Sequence, residues 1–447
     1  MKHIIYWIGC SIIAFTIASC SSDEDVVKED PLIPEVANPT PNEQPSNGEE
    51  VPSGNGEEYT TCGIGLTDSQ KTAVNQNNSF AFRFFQNLIS QNVLKGKSIV
   101  TSPLSATYAL GMINSGAQGK TSEEITSMLG FAEGSKHDIN KLCKTLIEEA
   151  PLVDKQVVLK LADCIVANQK VTLASDYQKS MEDFYKAEVF SKDLTNPAIV
   201  EFINDWCNQH TEGMIKKIVD KLDPNTQLML MNAIYFKAAW SGKFDKQETK
   251  VKSFTSEDGK EIKVKMMNRC KGTLYCKNDV YATIGLPYGK GDKWFMYFLL
   301  PNEGKTIANI FTHIDKVGWE SIRSKLEGKL VNVEIPRFKT ESEMDLNNVC
   351  QALGANSLFN QNSADLTLMT QNKAQLWIDL IKQKAAIEVS EEGTETSAVT
   401  FDMATGFSGK EENGTPIDQF IANHPFVYII QEASSGAIFF IGTFQGN

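Results

Sequence analysis

Four mostly apolar runs do most to limit the architecture of this chain: Met229–Phe236, Trp294–Leu300, Pro425–Glu432 and Ala437–Phe444. Each is seven or eight residues long, far short of the roughly 20 residues a membrane span needs and typical of strands. Met229–Phe236 is too apolar for a surface strand and reads as central in a sheet. The last two runs flank Ala433-Ser434-Ser435-Gly436 and read as a hairpin. Val331–Ile335 alternates with period two and reads as a half-buried strand. Helical patterns come earlier. Phe80, Phe84 and Leu88 recur at steps of four, and Ala81 and Phe85 widen that stripe. Phe82 points elsewhere, so this helix is expected to be buried on more than one side. Ser102 caps a second helix with Pro103 in its first turn, running through Ala109-Leu110 and Met112 to a stop near Gly116. Helices first and strands later, without regular βαβ alternation, predict an α+β domain with large, mostly antiparallel sheets. The 447-residue chain shows no internal repeat. With no Pro/Gly-rich break after residue 68, a single domain over 68–447 is expected.

What precedes residue 68 is different in kind. Residues 1–19 read as a secretory signal: Lys2 at the start, a mostly apolar run from Ile4 to Ala18, then Ser19. Ile17-Ala18-Ser19-Cys20 resembles a bacterial lipobox, in which cleavage before the cysteine leaves Cys20 to carry acyl chains. That makes the expected membrane link an anchor rather than a span. Ser21 after the cysteine resembles outer-membrane sorting. Ser21-Ser22-Asp23-Glu24-Asp25 resembles the acidic export signal on surface lipoproteins of Bacteroides-like bacteria. An outer-membrane, surface-exposed lipoprotein is the expectation. Residues 20–67 read as a flexible acidic tether. Six of the fifteen prolines fall within 21–60 with Tyr59 as the sole aromatic, so this stretch buries too little apolar surface to order itself.

Charge and cysteine usage exclude several functions. The formal net charge is −13, and Ser21–Tyr59 alone carries eleven acids against Lys28. Nucleic-acid binding is not expected of such a chain, which lacks the basic excess that displaces phosphate counterions. Nine cysteines include Cys10 and Cys20 of the leader. The other seven are read as buried or free thiols, with Cys270 and Cys276 spaced so that they could pair across a turn. No CxxC occurs and only five histidines are present, so no metal is expected. GxSxG, HExxH and GxGxxG are all absent. Gly119-Lys120-Thr121 ends like a Walker A loop, but Asn114 stands where its first glycine belongs. An enzyme is not expected, and a hydrolase triad assembled in space is the rival.

One segment is locally inconsistent. Ala385–Val389 reads as a strand. From Glu391 to about Ser408 the chain keeps strand propensity and small side chains, yet it sits amid Gly393, Gly406 and Gly409 in a polar context. A long loop in a compact domain is usually functional or disordered.

Glu391-Glu392-Gly393-Thr394-Glu395 closely resembles the hinge of inhibitory serpins, and the likeness extends over roughly residues 75–447. Ser102-Pro103-Leu104-Ser105 with Gly116–Thr121 is similar to the family's second helix and its following turn. Trp206, Thr211, Gly213 and Ile215 match a W…T…G-x-I pattern. Asn232–Lys237 with Trp240 and Phe244 resembles the third strand of the main sheet. Ile335–Lys339, Asp345-Leu346 with Leu353-Gly354, and His424-Pro425-Phe426 follow in the family's order.

The resemblance implies a serpin fold, a helical part on large sheets with an exposed reactive-centre loop. It implies a monomer that traps a target serine protease, or a cysteine protease, without a cofactor. The protease cleaves the loop through an acyl-enzyme, and the freed segment enters the main sheet as a new strand. Counting from Gly393 puts the reactive bond at Phe407-Ser408, suited to a chymotrypsin-like pocket; Lys410 or Met403 becomes the specificity residue if the count slips. The hinge comprises Glu391, Gly393, Thr394, Glu395, Thr396, Ser397 and Ala398. Residues 394–407 would add a strand of about 45 Å at about 3.3 Å per residue. Thr394, Thr396, Ala398, Thr400 and Ala404 fall on one face and Glu395 on the other. Asp402 breaks the inward face, and Thr396 stands where the family usually has alanine; both favour the rival reading of a non-inhibitory serpin. The implied sheet-opening cluster is Ser102, Ser105, Asn232 and Gln383, with Gln383 in place of the family's histidine and so without a titrating switch. Trp240 is expected where the loop first enters.

Overall fold

The computed structural model describes residues 63–91, 94–213, 215–223, 226–394 and 417–446. Helices α1 (Asp68–Ser90), α2 (Pro103–Gly116), α3 (Gly119–Met128), α4 (Lys136–Glu149), α5 (Ser175–Tyr185) and α6 (Ala198–His210) dominate the first half. Three more follow, α7 (Ile307–Val317), α8 (Trp319–Arg323) and α9 (Asn347–Ala352). The strands are β1 (Ile99–Thr101), β2 (Val157–Asn168), β3 (Glu188–Lys192), β4 (Leu228–Ala239), β5 (Lys250–Thr255), β6 (Glu261–Lys277), β7 (Tyr281–Tyr288) and β8 (Trp294–Pro301). They continue with β9 (Glu327–Pro336), β10 (Phe338–Asp345), β11 (Leu380–Ser390), β12 (Gly393–Thr394), β13 (Asp418–Ile421), β14 (Phe426–Glu432) and β15 (Ile438–Phe444).

All four apolar runs became strands. β14 and β15 form the expected hairpin, with Val427 opposite Thr443. They sit in a nine-stranded sheet of order β1-β15-β14-β8-β7-β6-β9-β13, with β5 paired to β6. A second, six-stranded sheet runs β10-β11-β12-β4-β2-β3. β4 is central there because both its faces are covered. Leu228, Leu230, Ile234, Phe236 and Ala238 join the main core. Met229, Met231 and Ala233 pack in a smaller cluster with Ile203, Trp206 and Cys207 of α6. That double burial is why β4 reads as a continuous apolar run.

The helical readings hold as well. Thr67 and Gln70 form a capping box at the start of α1. Phe80, Phe84, Phe85 and Leu88 are buried together. Phe82, on the other flank, packs against Phe311 and Trp319. In α2, Ser102 Oγ accepts from the Ser105 amide at 3.2 Å with Pro103 at the first helical position.

The Val331–Ile335 reading holds: Val331, Val333 and Ile335 are buried and Asn332 is half-buried, while Glu334 is the covered exception, both its carboxylate oxygens accepting from the Lys252 ammonium at 2.7 Å. One reading is corrected. No turn separates Cys270 from Cys276. Both lie on β6, which pairs with β9 through Met266–Tyr275 and with β7 through Leu274–Lys277. Six residues of extended chain span about 20 Å, beyond the roughly 7 Å limit between disulfide Cα atoms. The six described cysteines are all free.

Candidate functional site: a hinge seated in a parting sheet

β4 and β11 run parallel, but they pair only from Met229–Ala233 and Leu380–Lys384. Above that they diverge. The chain leaves β11 at Ser390, turns through Glu391-Glu392, and re-enters the sheet as β12. Gly393 and Thr394 pair antiparallel with β11 on one side and with Ala239 and Ala238 of β4 on the other. The first two residues of a strand are thus already in place at the top of the gap.

Gly393 is required at this entry. Its φ is +147°, and a Cβ there would lie 2.1 Å from the Ala238 carbonyl oxygen, a clash no side chain could avoid. Thr394 is fully buried. Its hydroxyl meets the Tyr288 hydroxyl at 2.5 Å, and burial pushes the Tyr288 phenol well above its ordinary range. Trp240 covers the same point. Its indole stacks on the Tyr288 ring, 4.3 Å between centroids at 9°, and its Nε1 donates to the Ser390 carbonyl at 2.9 Å.

The turn is held from the segment that follows β4. The Trp240 and Phe244 amides donate to the carbonyls of Glu392 and Glu391. The Glu392 carboxylate receives Lys243 at 2.7 Å and Lys246 at 2.8 Å, and these two bonds hold its carboxyl below the usual range. Glu391 is buried; Thr249 Oγ1 donates to its carboxylate at 2.9 Å and the Arg337 guanidinium stands 3.8 Å away.

Lower in the sheet, Gln383 faces the N-terminus of α2. Its Oε1 accepts from the Ser102 amide at 3.1 Å and from the Thr101 hydroxyl. Its Nε2 donates to the Ser102 carbonyl at 2.9 Å and reaches Ser105 Oγ at 3.4 Å. Ser102, Ser105 and Gln383 are therefore brought together. Asn232 is next to Gln383 in register, but its amide binds Asp163 of β2 at 2.6 Å. Asp163 was missed in the sequence. A signal was present: β2 alternates, Val157, Leu159, Ile165 and Ala167 share the core face, and an acid stands in that row. Burial raises its carboxyl to about 7, opposed by the Asn232 hydrogen bond. A titratable group thus faces the core after all, on β2, with Asn232 of β4 between it and Gln383. Thr101, Tyr288, Lys243 and Lys246 were also unforeseen. Glu395, Thr396, Ser397, Ala398, Thr400, Asp402, Met403, Ala404, Phe407, Ser408, Lys410 and Cys20 lie outside the described residues.

A family model described as Serpin (serine protease inhibitor) matches residues 75–445. The chain belongs to the serpin family. Neuroserpin of Gallus gallus is 30% identical over 358 residues, covering 77% of this chain and 85% of that protein. A serpin-like protein of Thermococcus kodakarensis is 30% identical over 410 residues, 91% of this chain and 93% of its own. Among solved structures, the thermophilic serpin tengpin in its native state superposes with a TM-score of 0.76 at 26% identity, covering 86% of this chain and 96% of that one. The fold is that of the family, α+β with a helical part on two large sheets. The family is described as one of serine protease inhibitors.

Proposed function

We propose that this serpin is a suicide inhibitor of serine proteases, with chymotrypsin- or elastase-like enzymes as its targets. The observation that carries the reading is the seated hinge: Gly393 and Thr394 occupy the top of a gap between β4 and β11. A protease attacks the bond after Phe407 and is acylated by the loop carbonyl. Residues 395 onward then follow Thr394 into the gap, adding a strand to both neighbours. The relief of an unfilled sheet drives the step, and the acylated protease moves with the strand. Cys20 carries a lipid that holds the trap at the outer cell surface, and the acidic segment after it sets the reach, ending before Ile64 and Leu66, which pack in the core.

Incubation with chymotrypsin, elastase and trypsin tests this. An SDS-resistant complex is expected, with a released C-terminal fragment beginning at Ser408. Cleavage by all three without any complex would leave a binding or structural serpin instead. Limited proteolysis of intact cells reads the location: removal of the protein supports surface display, and full protection opposes it.

A further inference from the structure

Asp163 sits on the core face of the six-stranded sheet with no cation against it among the described residues. From β4, Asn232 offers its amide. From α2 the facing titratable group is Tyr108, and from α4 it is Cys143; both interact electrostatically with Asp163. Cys164 adjoins it on β2 and packs in the cluster on the opposite face, where Glu188 of β3 lies opposite it in register. No Lys, Arg or His is among these groups. Burial drives Tyr108, Cys143 and Cys164 upward, so they stay neutral and Asp163 alone can change charge near neutral pH.

The surroundings suit an uncharged acid. A carboxylate keeps the Asn232 Nδ2 donor at 2.6 Å, but a single amide bond does not offset the burial of a charge. Asn232 Oδ1 and Tyr108 Oη are both buried without a partner. A protonated carboxyl brings an O–H donor to these acceptor-rich surroundings, and a carboxylate brings none.

The place matters because β2 and β4 form one unit. They pair over eleven positions, Val157–Ala167 with Leu228–Ala238, whereas β4 and β11 pair over five. When the sheet parts, β4 leaves β11 and carries β2 with it across α2. We propose that Asp163 is a positioning residue of sheet opening: protonated, it keeps β2 and β4 settled on α2, and its ionisation favours the parted sheet that accepts the loop. This rests on the inhibitory reading for its use, but not for its measurement. The closed sheet binds the proton more tightly than the parted one, so opening releases it and is promoted as pH rises. Burial holds the folded carboxyl above its unfolded value, so the stability it lends is full in acid and lost as pH rises to about 7.

The full chain and D163N are compared between about pH 5.5 and about pH 8.5, a window that spans the transition. The probe is a synthetic peptide with the sequence of residues 394–407 but asparagine in place of Asp402, so that the peptide brings no acid to the inward face; its uptake into the uncleaved protein is read on native gels. Wild-type uptake should accelerate about tenfold across the window, the equivalent of one pKa unit between closed and parted sheets. D163N should give a flat profile, and its melting temperature should exceed the wild type's increasingly as pH rises. A flat wild-type profile, or a pH-dependent one retained by D163N, overturns the proposal. If D163N does not fold, the carbon-13 carboxyl resonance of Asp163 in wild type decides: a midpoint near neutrality supports it, and one in the ordinary carboxylate range overturns it. Failure to form protease complexes with these profiles intact counts against the inhibitory reading alone.

Discussion

Thr394 and Tyr288 meet hydroxyl to hydroxyl at 2.5 Å, at the point where β12 enters the six-stranded sheet. Tyr288 can donate to Met296 Sδ at 3.2 Å and still accept from Thr394, so neither buried oxygen is left without a partner. The contact has room for a small, uncharged side chain. T394R would bury an unpaired guanidinium at an uncompensated cost of about 3–5 kcal/mol, or more than a hundredfold in the insertion step. The variant should still be cleaved by chymotrypsin, yet form almost no SDS-resistant complex and gain no thermal stability on cleavage. T394V should lose about 1 kcal/mol in urea denaturation, the value of one hydrogen bond, and continue to trap. Equal trapping by T394R and wild type would mean the strand does not enter here.

The clamp on Glu392 should set how efficiently the first step proceeds. Lys243 and Lys246 fix the turn that presents residue 395 onward to the gap. Both contacts lie toward solvent and are close to ideal in length, so their combined contribution is modest. E392Q should therefore raise the moles of inhibitor consumed per mole of protease trapped by a few-fold. Surface pairs are screened by salt, so wild type should drift toward the variant as ionic strength rises, while E392Q should barely respond. Titration of active protease against inhibitor at low and high salt measures both.

The specificity residue is open to a direct exchange. An aromatic side chain fills an apolar primary pocket, whereas a guanidinium needs a carboxylate at its base. F407R should move the preferred target from chymotrypsin to trypsin by at least a hundredfold in association rate, and the trypsin-released fragment should begin at Ser408. If F407R leaves chymotrypsin inhibition unchanged while K410A or M403A abolishes trapping, the bond lies at the latter position.

Periodicity alone was enough for much of the fold. The apolar runs, the α1 stripe with Phe82 on its second side, and the capped α2 were all readable because each depends on local spacing and burial. The pairing of Cys270 with Cys276 failed for the complementary reason. A strand that continues through β6 and exchanges β9 for β7 as its partner leaves no local mark that separates it from a turn. At the site, the hinge motif pointed to Gly393, whose need for glycine is set by the Ala238 carbonyl. Lys243, Lys246, Tyr288 and Asp163 converge from separate strands and loops, and single-chain spacing carries no information on such meetings. Asp163 was the exception in principle, since an acid in an alternating apolar row of β2 is visible as an anomaly.

Register carries the last prediction below the point where β12 ends. Thr394 stands opposite Ala238 and Val389, so a strand continued in the same register would place Thr400 between Asn232 and Gln383 and Asp402 between Leu230 and Ile381. Thr400 would meet the polar row and find partners there; T400V should lower the melting temperature of the cleaved form by the equivalent of about 1 kcal/mol. Asp402 would arrive between two side chains that are 1% and 2% exposed. A carboxylate there has no cation, so insertion should raise its pKa and favour its protonation. The sign follows: the inserted form takes up a proton, and its stability should fall as pH rises out of the carboxylate range. D402N should raise the melting temperature of the cleaved protein more at about pH 8 than at about pH 4, and should leave the uncleaved protein unchanged at both. A pH-independent difference would mean that Asp402 stays in water, and that the inserted strand stops short of Leu230.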